Sequence, residues 1–236
     1  MGHVFNVPVT STLKTCSTLL QRGEPGNAVM SFSSEHVTRA LRHLRKSDPV
    51  LAEVIRRVGP FELQPKRGRF QALVRSILAQ QISTAVARSM LRKLETRLLP
   101  NKLSAENLAQ LSFDDLRSLG LSRQKAAYLQ DLTAKVLDGS VRLHRVHRLD
   151  DEEIIAELIQ VKGIGRWTVQ MFLIFCLGRP DVFAPDDFGL RSAIQNLYGL
   201  PELPKRAEAE EIAAPWRPHA TIASWYLWRS LELPKD

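Results

Sequence analysis

The chain has 236 residues, 44% of them hydrophobic, which is enough for a core and excludes a disordered chain. Lys and Arg number 33 against 25 Asp and Glu, and the net charge of +8 favours a polyanionic partner such as nucleic acid or an anionic membrane surface. Only Cys16 and Cys176 occur, without a CxxC pair, so a cysteine-ligated iron–sulfur cluster or cysteine-rich zinc module is excluded and a reducing compartment is expected.

Residues 1–30 mix Thr, Ser, Pro and Gly without a sustained period, the composition of a flexible segment. Their opening has its first lysine only at Lys14 and no clean apolar core, so no secretory signal is expected. The helical pattern begins in SFSSEHVTRALRHLRKSD (31–48), where Val37, Ala40, Leu41 and Leu44 return at helical steps after Ser34. PVLAEVIRRVG (49–59) reads as a second, short helix and PFELQPKRG (60–68) as a connection. The long apolar stretch 69–99 is helical with a break near Gln81–Ser83, because Ser83 can cap a new helix.

SAENLAQL (104–111) and SFDDLRSLG (112–120) each open on a capping serine. Asn107 and Asp115 stand where a capping box takes Glu or Gln, so neither box is expected to close. SRQKAAYLQDLTAKVLDGS (122–140) is a longer helix stopped at Asp138–Gly139. His144 and His147 lack an acidic or cysteine companion at ligand spacing and read as surface residues, not a zinc site. DDEEIIAELIQV (150–161) opens on acids that favour a helix start. No alternating run is sustained, so the fold class is all-α: about ten helices in two helical lobes, with the chain returning to its first lobe at the end.

ELIQV-KGIG-RWTVQMFLIFC then reads as helix, tight turn, helix. Gly163 and Gly165 let the backbone turn sharply and approach a ligand closely. The unpaired N–H groups of the second helix suit a phosphate oxygen, and Lys162 and Arg166 add charge. The pattern GxxxxGK[ST] is absent and no strand precedes the glycines, which argues against a nucleotide loop. The apolar run MFLIFCLG (171–178) is too short to span a bilayer and is expected to be buried nearly all round. Beyond it VFAPDDFGLR sets Asp186 and Asp187 at the start of the next helix. One carboxylate can cap that helix while the other faces a cleft, where it would stabilise a developing cation or orient a water molecule. The residue types alone leave open which Asp has which role.

In this order, SILAQQIS (76–83), LxxLGLSRQKAAYL (116–129), VKGIGRWTVQMF (161–172), DVFAPDDFGLR (181–191) and PWRPHATIASWYLWR (215–229) resemble the helix–hairpin–helix DNA glycosylase superfamily. The nearest likeness is to the 3-methyladenine DNA glycosylase II family, in a compact form without an N-terminal β-rich domain. The resemblance covers roughly residues 34–232. It implies one lobe from 31–75 with 190–236, a barrel lobe from 76–189 carrying the hairpin at 154–177, and an active site in the cleft between them.

The resemblance makes Asp187 the catalytic aspartate, whose carboxylate favours the oxocarbenium-like sugar as an extrahelical base leaves. It assigns Trp225, Trp167 and Met171 to the base pocket, Met171 replacing a family tyrosine. It assigns Gln81, with Gln80 beside it, to the wedge that fills the gap in the duplex. It assigns Lys162, Gly163, Gly165, Arg166 and Thr168 to phosphate binding. Trp216 and Trp228 read as core. Relatives that also cut the strand carry lysine where Trp167 stands, so no lyase step is expected. The carbonyls of Ile159, Val161 and Ile164 match positions that hold a monovalent cation, Na+ or K+, in the family; no cofactor is required.

The implied activity is hydrolytic excision of alkylated purines from double-stranded DNA, 3-methyladenine first, with 7-methylguanine and related bases as further candidates. The implied protein is a monomer of the nucleoid or cytoplasm of a prokaryote, or of a nucleus, neither secreted nor membrane-bound. The alternatives are a glycosylase for deaminated, oxidised or mismatched bases, and a non-enzymatic DNA-binding protein using the same hairpin.

Overall fold

The structure is a computed structural model, and it describes residues 32–234; the flexible segment expected at 1–30 lies outside them, as does Cys16. Twelve α-helices and no strand occur among the described residues, so the fold is all-α. They are α1 (Ser34–Ser47), α2 (Pro49–Val58), α3 (Arg69–Ala79), α4 (Thr84–Leu98), α5 (Ala105–Leu108), α6 (Phe113–Ser118), α7 (Arg123–Leu137), α8 (Asp151–Leu158), α9 (Arg166–Phe172), α10 (Phe188–Tyr198), α11 (Arg206–Ala213) and α12 (Ala220–Ser230). None is long and apolar enough to cross a membrane.

The helices form two compact units: one is Lys66–Phe172, and the other joins described residues 32–65 to 173–234. Its edges differ from those expected from the sequence. α3 lies wholly in the first unit because it packs on α4, α7 and α9. Residues 173–189 fall in the second, where the Val182 N–H donates to Thr221 Oγ1 at 2.9 Å and Asp181 accepts from the Ala220 N–H at 3.1 Å.

In the first unit, Leu73, Val74, Ile77 and Leu78 of α3 are fully buried. Serine caps set the helix starts: Ser83, Ser104, Ser112 and Ser122 each accept a backbone N–H three residues on. The capping box at α6, not expected with Asp at its fourth position, does close. Asp115 accepts from the Ser112 N–H at 2.9 Å while its own N–H donates to Ser112 Oγ at 3.0 Å. A carboxylate one methylene shorter than glutamate still reaches across this turn.

In the second unit α2 packs on α1 and α12, and α12 on α10. The buried carboxylate of Asp48 caps α2 through the Leu51 N–H at 3.0 Å and takes the Trp216 indole N–H at 2.7 Å and the Tyr198 hydroxyl. Trp216 is therefore core, as expected, but with its one polar atom satisfied by a carboxylate. α11, RAEAEEIA, is not among the expected helices; it buries only Ala209 and Ala213 and so carries little apolar periodicity. The apolar run after α9 is buried from Leu173 to Cys176 but winds as a π-helix, Leu173–Leu177, instead of continuing the α geometry.

Candidate active site

The hairpin lies in the first unit. Gly163 has φ +80°, and a Cβ there would stand 2.1 Å from Cδ2 of Tyr128, so both conformation and space require glycine. Gly165 is different: it is exposed, and nothing lies within 4 Å of where a Cβ would point. The open side of Gly165 leaves room for a ligand at the start of α9.

The two cations expected beside a phosphate have acidic neighbours. Arg166 forms a two-pronged pair with Glu152, one nitrogen 2.9 Å from Oε2. Lys162 Nζ is 3.9 Å from Asp131 Oδ1 and its side chain is 72% exposed. The Lys162 backbone N–H donates to Asp131 Oδ2 at 2.8 Å. Thr168 is buried, with little surface to offer a phosphate. Val161 and Ile164 are buried while Ile159 is 48% exposed, and the Val161 carbonyl accepts the Ile164 N–H at 3.0 Å.

The turn between α3 and α4 meets this hairpin. Gln80 Nε2 donates to the Gly163 carbonyl at 2.7 Å. Gln80, placed beside the wedge by the resemblance, thus spends its side-chain amide on a hydrogen bond within the protein. Gln81 is exposed and has φ +57°, and no other non-glycine residue among the described ones has a positive φ. Lys125 is buried and donates to the Leu78 carbonyl at 2.6 Å, and burial pushes its ammonium below the usual lysine range. This tie at the last turn of α3 carries no sequence signal, since a lysine in a helix start reads as surface.

The two acids lie in the second unit, and their division of labour differs from that expected. Asp187, 7% exposed, is itself the cap of α10: its Oδ1 accepts the Leu190 N–H at 2.8 Å. Asp186 is exposed and pairs with Arg206 at 3.1 Å. The same Oδ1 of Asp187 also accepts the indole N–H of Trp228 at 2.9 Å. Trp228, read from sequence as core, is half-buried and bound to this carboxylate.

The remaining expected residues divide between the units. Trp167 is half-buried and Met171 buried, both in the first. Trp225, in the second, is 8% exposed. It makes edge contacts with Phe61 at 5.0 Å and Tyr226 at 4.9 Å, and the Arg229 guanidinium stands 5.9 Å from its ring centre.

Residues 74–218, spanning the turn, the hairpin and both acids, match the model of the HhH-GPD superfamily base excision DNA repair proteins. The chain belongs to this superfamily. DNA-3-methyladenine glycosylase 1 of Schizosaccharomyces pombe is 31% identical over 84% of this chain and 89% of that protein. The alkylbase DNA glycosidase-like protein mag2 of the same yeast is 29% identical over 87% of this chain and 97% of that one. Among HhH-GPD structures, the 3-methyladenine DNA glycosylase of S. pombe in complex with abasic DNA superposes with a TM-score of 0.74 at 29% identity. That superposition covers 83% of this chain and 97% of the other.

Proposed function

We propose that this HhH-GPD protein is a monofunctional DNA-3-methyladenine glycosylase, which releases alkylated purines from duplex DNA by hydrolysis and leaves an abasic site. The observation that carries the reading is the carboxylate of Asp187, buried at a helix start and held by two N–H donors. A fixed negative charge with little water around it stabilises a positive charge developing on the sugar and needs no reorganisation as the bond breaks. An alkylated purine is already cationic and leaves readily, so no strong general acid is required.

The other residues take roles consistent with this chemistry. The backbone around Gly165 takes a phosphate, and Lys162 adds long-range attraction. Gln81, exposed on a backbone conformation that costs energy, is the wedge that occupies the gap left by the extruded nucleotide. Each of Trp225, Trp167 and Met171 is assigned a contact with the base, the two indoles because their faces suit an electron-poor ring. Trp167 cannot form a Schiff base, which supports hydrolysis without strand cleavage.

The carbonyls of Ile159, Val161 and Ile164 are neutral, hard-oxygen donors, the type that suits a monovalent cation. The Val161 oxygen keeps a second lone pair beside its bond from Ile164. Such an ion would add positive charge at the hairpin.

The test is product analysis on duplexes containing 3-methyladenine, 7-methylguanine, 1,N6-ethenoadenine, hypoxanthine or uracil. The alkylated purines should be released fastest, with strands intact until alkali is added and no borohydride-trapped adduct. Preferred release of uracil or hypoxanthine would replace the substrate class, and a trapped adduct would replace the hydrolytic step.

A further inference from the structure

We infer that Trp228 is a positioning residue for the cleavage step, and that the π-helical turn Leu173–Leu177 sets it in place through Phe175. The inference rests on the proposed role of Asp187. Both donors described for Asp187 converge on Oδ1: the Leu190 N–H at 2.8 Å from its own helix and the Trp228 indole N–H at 2.9 Å from α12. A cap bond alone leaves the carboxylate plane free to rock, because the terminal torsion of Asp is broad. A second donor from a different element fixes that plane.

The donor is itself fixed. The Trp228 ring stacks on Phe175, with centroids 5.5 Å apart and planes 28° from parallel. Phe175 is buried in the middle of the π turn. Inserting one residue into a helix rotates all later side chains by about 100° relative to an α path, since each residue turns 360°/3.6. The π turn therefore decides which way Phe175 faces, and Phe175 decides where the indole N–H points. Turns of this kind recur at functional sites.

The chain of contacts runs from π turn to Phe175, Trp228 and Asp187, all within one unit. Its effect is to prepay the orientation of the charge that the sugar cation meets. A packing role alone would need the ring but not its N–H.

Single-turnover excision, DNA dissociation constant and melting temperature should be measured for Trp228→Phe, Trp228→His and Phe175→Leu, with and without Asp187→Asn. Trp228→Phe keeps the stack and loses the donor. It should lower the excision rate about 10- to 100-fold, the effect of one hydrogen bond to a charged group, with DNA affinity within about twofold of wild type. Trp228→His, with a ring N–H, should recover part of the rate. Phe175→Leu, which keeps the donor but removes its seat, should lose about threefold or more. In the Asp187→Asn background Trp228→Phe should cause no further loss.

Wild-type excision by Trp228→Phe, or an equal loss in both backgrounds, overturns the inference while Asp187→Asn itself stays strongly slowed. Should Trp228→Phe fail to fold, a Phe175→Leu protein that folds and excises at the wild-type rate overturns it equally. Full excision by Asp187→Asn would instead remove the reading of the site on which the inference stands.

Discussion

The side-chain amide of Gln80 donates to the backbone carbonyl of Gly163 at 2.7 Å, joining two turns that lie 83 residues apart in the sequence. Lys125 reinforces the same turn through the Leu78 carbonyl, and Tyr128, one helical turn along α7, lies against Gly163. Gln80→Ala should therefore cost about 1 kcal/mol of stability and weaken DNA binding several-fold, because the hairpin loses a brace. Thermal melting and fluorescence anisotropy on duplex DNA measure both effects.

The two hairpin glycines should respond differently to alanine. Gly163→Ala places a methyl group 2.1 Å from the Tyr128 ring on a left-handed backbone, and should destabilise the protein by several kcal/mol or prevent folding. Gly165→Ala meets open space and should melt like wild type, yet bind DNA at least about tenfold more weakly, because the methyl group stands where a phosphate would approach.

Gln81 separates strain from function. Its φ of +57° suits glycine better than glutamine, so Gln81→Gly should melt at or above the wild-type temperature. The same variant should excise more slowly in single turnover if the side chain fills the duplex gap. Unchanged excision would make the glutamine an ordinary turn residue.

Three histidine rings meet in the second unit: His36 and His43 stand 5.2 Å and 5.4 Å from His219 between ring centroids. Burial, then Arg39, lowers the pKa of His36 below 6.5. Burial, then His36 and His43, lowers that of His219, Asp181 opposing and Arg39 adding to the shift. With folded values below unfolded ones, the neutral form favours folding. Stability is complete above pH 6.5 and falls as the unfolded chain takes up protons below it. The carboxylates held low by their partners, such as Asp115 and Asp138, add their own loss only in the more acidic carboxylate range. Melting temperature should therefore drop between about pH 7 and 5, and His36→Gln should flatten that slope.

The helices and the hairpin were legible in the sequence because their signals are local: apolar spacing, serine caps, and glycines where the chain turns. The choice between Asp186 and Asp187 was not, since adjacent acids carry the same chemistry and only the fold decides which one Leu190 and Trp228 engage. Trp228 was misread for a related reason. A tryptophan near apolar positions signals core, and its N–H partner lies 41 residues away. The π turn was hidden because LIFCL is apolar on every side and its pattern fits either helical period. Lys125 shows the limit of charge as a guide: its ammonium is buried on a carbonyl that sequence cannot place.

The most direct measurement is single-turnover release of 3-methyladenine from duplex DNA by wild type and Asp187→Asn, with DNA affinity measured alongside. The amide can still cap α10 and accept from Trp228 but carries no charge. The rate should fall by about three orders of magnitude or more, with binding within a few-fold of wild type. Release by Asp187→Asn at the wild-type rate would contradict the account.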